Sequence, residues 1–100
     1  MQSKELEFLK LVIMNYFDIE SKDLFYKSRI NNIVYARRIF FYLADSYLKK
    51  QHKYISDYLE SPFSSVSYGK NKIIRLLDSG DKELINDLRE IKKLLSNNVK

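Results

Sequence analysis

Two glycines and one proline are the only backbone breakers in this 100-residue chain. A sequence so short of them cannot supply many tight hairpins, so it is restricted to long regular elements with short joints. The spacing of apolar residues says which element. Leu6, Leu9, Val12, Ile13 and Phe17 recur every three or four positions and form one helical stripe. The same reading predicts helices over about 4–16, 21–26, 33–48, 52–59, 62–77 and 81–96. Ile33-Val34-Tyr35 is locally β-prone, but the pattern around it is helical. The expected fold is all-α, with five or six helices in a single domain spanning 1–100 and a fraying tail at 97–100.

The stripes name a core. Leu24 and Phe25 point inward from the second helix; Ala36, Ile39, Phe40, Leu43 and Tyr47 from the third, with Arg37 and Arg38 on its outer side. Ile55 and Leu59 serve the fourth helix, Val66, Gly69, Ile73, Leu76 and Leu77 the fifth, and Leu84, Leu88, Ile91, Leu94 and Leu95 the last. Ser21 suits an N-cap, as does Ser61, with Pro62 at the first helical position where a missing N–H costs nothing. Gly80 can stop the fifth helix in a left-handed conformation, and Asp81 can cap the sixth. Gly69 lies within a helix, where lacking a side chain it allows a neighbour to approach closely.

Charge is unevenly placed. Residues 26–75 hold 10 basic and 3 acidic side chains, whereas 1–25 hold 3 and 5, and 76–100 hold 5 of each. A basic middle half between balanced ends suits a polyanion partner, or a solvated basic face with no ligand. With no cysteine there are no disulfides, thiolate metal sites or Cys nucleophile. His52 is the sole histidine, read as a surface residue without metal partners, and Asp45, Asp57 and Glu60 are scattered carboxylates beside no nucleophile. Tyr68-Gly69-Lys70-Asn71 is not a phosphate-binding loop. The expectation is therefore a non-enzyme with no cofactor, no metal and no small-molecule substrate. No apolar run approaches a bilayer span and no leader is visible, so a cytoplasmic, nucleoid-associated protein without a membrane partner is expected.

The helix over 52–59, a tight joint and the helix over 62–77 have the spacing of a helix-turn-helix, whose second helix enters the major groove. Ser64, Ser65, Tyr68, Asn71, Lys72 and Arg75 occupy its outer positions, and none is acidic. Lys49, Lys50 and Lys53 at the start of the fourth helix read equally as a phosphate clamp or as a solvated turn. Most of the 8 tyrosines and 6 phenylalanines fall on core stripes, with Tyr54, Tyr58 and Tyr68 as candidate exceptions, and Phe63 reads as a staple between the two helices.

A resemblance extends this. Asn15-Tyr16-Phe17-Asp18-Ile19, then Asp23-Leu24 and Lys27-Ser28-Arg29, then Ile33-Val34-Tyr35-Ala36-Arg37-Arg38-Ile39 with Tyr42-Leu43-Ala44, resemble in order and spacing the C-terminal domain of the bacterial replication initiator DnaA. Over roughly residues 8–96 the resemblance implies a helix-turn-helix of the Trp-repressor-like group that binds double-stranded DNA. It places Arg29 where the family's basic loop enters the minor groove, with Lys27 in the same loop. Ser64 and Ser65 fall where the family has two threonines, and Lys72 matches a basic residue of the same helix. Glu60-Ser61-Pro62-Phe63 stands, one residue shorter, where the family carries Gly-Gly-Arg-Asp-His, and Asp45 stands where some members have a DNA-facing lysine. The implied function is duplex binding with altered or looser base preference, in replication initiation or its regulation. The competing expectation is a protein-interaction module that kept the fold and lost base reading.

Overall fold

A computed structural model describes residues 4–25 and 30–97. They form α1 (Lys4–Phe17), α2 (Ser21–Phe25), α3 (Asn31–Ser46), α4 (His52–Leu59), α5 (Phe63–Asp78) and α6 (Lys82–Asn97), with no strand among the described residues. The all-α expectation holds, and each element lies within a few residues of its predicted range.

The central element is α3. Ile33, Ala36, Ile39, Phe40, Phe41, Leu43 and Ala44 are all buried, which spreads its apolar surface well beyond a single stripe. That breadth lets α3 carry α5 on one side and α1 on another while also touching α2 and α4. Phe40 is fully buried; truncating such a residue to alanine costs about 3–5 kcal/mol. The approach between α3 and α5 is close. A Cβ built on Gly69 would lie 2.7 Å from Phe41 Cδ2 and 3.3 Å from Arg38 Cγ, so glycine here is a packing requirement.

Where α1, α3 and α6 meet, Asp87 accepts a hydrogen bond from each of two phenols, Tyr16 at 2.7 Å and Tyr35 at 2.8 Å. The Phe17 ring lies edge-on to both tyrosine rings. Burial, and then the bond to Asp87, push the Tyr16 hydroxyl up to about 12 and raise Tyr35 in the same direction. On the other flank of α1, Tyr58 and Lys10 both bond the Glu7 carboxylate, Tyr58 contributing most, and hold it below its ordinary range.

Helix ends account for most differences from expectation. Gly80 takes the left-handed conformation with φ 77°, and Asp81 caps α6 by accepting from the Leu84 N–H at 2.9 Å. Three further stops use residues that are not glycine, one of them Lys49 at φ 61° after α3, where the Lys50 N–H closes onto the Ala44 carbonyl. Asp18 and Glu60 sit at φ 56° and 53°, and the residue after each closes a bond across the last turn, Ile19 to the Met14 carbonyl and Ser61 to that of Ser56. Ser21 is not a cap. It is the first residue of α2, where its hydroxyl accepts from Lys10, and Asp23 instead reaches back to the Glu20 N–H. Nor does Ser61 cap α5. Pro62 holds that position in an extended conformation, and the helix begins at Phe63. Tyr47 and Leu94, expected in the core, are 39% and 37% exposed. Tyr47 lies just past the end of α3, with its N–H still bonded to the Leu43 carbonyl and its hydroxyl 3.4 Å from that of Ser96 at the surface. Leu94 borders a surface groove beside α1.

Candidate nucleic-acid interface

Glu60, Ser61 and Pro62 join α4 to α5. The joint is cross-braced. Ser61 donates its N–H to the Ser56 carbonyl at 3.0 Å, its own carbonyl accepts from the Ser56 hydroxyl, and its side chain accepts from Arg37 Nη2 at 2.8 Å. Pro62 then opens α5 by accepting from the Ser65 and Val66 N–H groups. The resulting helix buries Val66, Gly69 and Ile73 against α3 and turns Ser64, Tyr68, Asn71 and Arg75 outward.

Ser64 is exposed, and Ser65 and Lys72 are half-buried beside it. Tyr68 is 55% exposed, and two cations sit over its ring: the Arg38 guanidinium at 5.5 Å and the Lys72 ammonium at 5.4 Å. The outer stripe of α5 thus presents two hydroxyls, a phenol and three positive charges, those of Lys72 and Arg75 and that of Arg38 supplied by α3. Between the helices runs a cleft of about 260 Å³ lined by Val34, Arg37, Arg38, Phe41, Ser65 and Tyr68.

Several other cations near the motif have partners inside the fold or at its edge. Asp45 takes His52 Nε2 at 3.1 Å and Lys70 Nζ at 3.7 Å, while His52 Nδ1 lies 3.1 Å from the Ser67 hydroxyl. His52 is therefore no free surface residue; it knits α3, α4 and α5 together and packs its ring on Phe63 at 5.4 Å. Phe63 touches α4 as a staple would, yet remains 55% exposed. Lys50 pairs with Glu5 of α1 and lies over the Tyr54 ring; the hydrogen bond to Glu5 raises its proton affinity. Lys53 pairs with Asp57 one turn along α4, and both are well exposed. Lys49 is exposed at φ 61°. Tyr54 and Tyr58 pack partly buried against the core. Lys27 and Arg29 lie outside the described residues.

Sequence reasoning left two arginines undervalued. Arg37 was expected on the outer side of α3; it is half-buried, with Nε donating to the Leu24 carbonyl at 2.9 Å and its guanidinium carbon 5.5 Å from the Phe41 ring. Burial alone lowers its proton affinity. Arg38 was assigned no partner. Its signal was Gly69, which marks where α3 comes close enough for its side chains to reach Tyr68.

Two helices joined by a tight braced turn, the second exposing a polar stripe with no acid from Ser64 to Arg75, define a helix-turn-helix domain. Residues 7–73 match the family described as the bacterial dnaA protein helix-turn-helix, and the chain belongs to that family. The match takes in both helices of the motif up to Ile73 and leaves α6 beyond it. A comparison with curated proteins finds no match.

Proposed function

We propose that the chain binds double-stranded DNA, with α5 in the major groove and the basic loop at its side. The observation that carries this is the outer stripe of α5 from Ser64 to Arg75, which holds no acid before Asp78 at the helix end, with Arg38 and Lys72 gathered on exposed Tyr68, in a chain of this family. Ser64 and Ser65 lie in the first turn of α5, where hydroxyls and free backbone N–H groups reach phosphates or base edges. Arg29 extends into the adjacent minor groove, whose narrow form concentrates negative potential. Lys27, Lys49, Lys53 and Lys72 hold phosphates. Lys50 joins them only by exchanging Glu5 for phosphate. The biological setting is replication initiation or its regulation, at the nucleoid.

Selection of duplexes from a random library, followed by a salt titration of the winner, tests this. Affinity should fall steeply with salt, in proportion to the phosphates neutralised. Lys72→Ala should weaken all sequences alike and reduce the salt slope by about 1, whereas Arg29→Ala should cost about 1–3 kcal/mol and relax the preference at one position. A chain that retains no duplex even at low salt is not a DNA-binding protein. That result would favour the protein-interaction reading, which draws on a groove of about 510 Å³ lined by Phe8, Leu11, Met14 and Leu94, with Leu11 51% exposed.

A further inference from the structure

Arg37 sits in the body of the fold, yet both acceptors of its guanidinium belong to segments that frame the proposed interface. Leu24 lies one residue before the end of α2, and Ser61 is the middle residue of the α4–α5 joint. A guanidinium is planar and aims its donors in fixed directions, so bonds of 2.9 and 2.8 Å from Nε and Nη2 fix those two segments relative to one another. The ring of Phe41 backs the fork, and Phe41 is the same residue that meets Gly69 of α5. Arg37 therefore links the end of α2 to the turn, and Phe41 behind it carries the contact on to α5.

We propose that Arg37 is the positioning residue of the duplex-binding surface: it sets the angle at which α5 leaves the turn and does not itself contact phosphate. This rests on the DNA-binding reading. A lysine cannot replace it, because a single ammonium on a flexible stem does not reproduce two divergent donors. Ser61 is the matching half of the device. Its hydroxyl lies outside α5 and serves the brace, which also explains a serine that does not cap the helix it precedes.

The test uses the full chain, mixed-sequence duplex DNA and four variants: Arg37→Lys, Arg37→Met, Ser61→Ala and the Arg37→Met/Ser61→Ala pair. Binding is measured across a salt series, and exchange of the Arg37 Nε proton is followed by NMR in the free protein. Both Arg37 variants should bind about tenfold more weakly or worse, with the salt slope unchanged. Ser61→Ala should show part of that loss, and Arg37→Met should add less on top of it than it costs alone. Rescue by lysine, together with a slope reduced by about 1 in Arg37→Met, identifies a phosphate contact and overturns the proposal. If Arg37→Met does not fold, Ser61→Ala decides: weaker binding at an unchanged slope supports the brace, and wild-type binding overturns it. If the wild-type chain binds no duplex at low salt, the DNA reading has failed. The brace is then judged on the free protein. A protected Nε proton that exchanges faster in Ser61→Ala upholds it, and a fast one in the wild type removes it.

Discussion

Asp87 and Asp45 each tie three helices together, and they do so with opposite chemistry. Asp87 is met by two phenols, which are neutral, so it joins α1, α3 and α6 while its own charge stays uncompensated by those partners. Asp45 is met by a lysine and by a histidine that is charged only when protonated, so in joining α3 to α4 and α5 it draws positive charge inward from the very motif that would face DNA. The first arrangement serves the scaffold alone. The second is shared between fold and ligand, because each cation held by Asp45 is one that a phosphate could otherwise claim.

The contrast can be broken most forcefully at Asp87. Asp87→Ala leaves two half-buried phenols without their acceptor and should cost about 2–3 kcal/mol in urea unfolding, with the duplex affinity of the folded protein unchanged. An equal loss from Asp45→Ala would erase the distinction between the two carboxylates. Alkaline pH sharpens the comparison next. The folded-state values of Tyr16 and Tyr35 are raised above the ordinary value of 10, so their stabilisation is complete below pH 10; that of Tyr16 is lost as pH climbs through about 12, and that of Tyr35 at higher pH still. Helical ellipticity should fall together with the ionisation of these two phenols, followed residue by residue by NMR. Ionisation of Tyr16 and Tyr35 near pH 10 with the helices intact would show that the Asp87 bonds contribute little. The smallest effect is expected at Asp45. Asp45→Asn should change stability by less than about 1 kcal/mol, since its partners are partly exposed. It should also tighten duplex binding a few-fold and steepen the salt slope, because Lys70 is released. Weaker binding would mean that the network holds α5 in place more than it competes with DNA.

The division between what the sequence displayed and what it concealed follows the range of each interaction. Six helices were legible because helical periodicity is a local property and the core is continuous along it. Gly80 and Asp81 were legible stops because their residue types carry the conformation they adopt. Asp18 and Glu60 were not, since a left-handed residue with a side chain is held there by the bonds closing around it. The outer stripe of α5 could be read from spacing alone. Arg37 could not: periodicity places a long polar side chain on an outer face but does not reveal that it folds back to a carbonyl on another helix. The pairing of Lys50 with Glu5 is hidden for the same reason, since it spans 45 positions of sequence. The His52–Asp45–Lys70 network, likewise assembled from three helices, left no mark on any one of them.

With Phe41 pressed against the bare backbone of Gly69, even a methyl group at that position would push α5 off α3. Changes in what this surface prefers must therefore come by exchanging outward-facing side chains such as Ser64, Ser65 and Tyr68, one at a time. Re-aiming the helix as a whole would require a different partner for it to rest on.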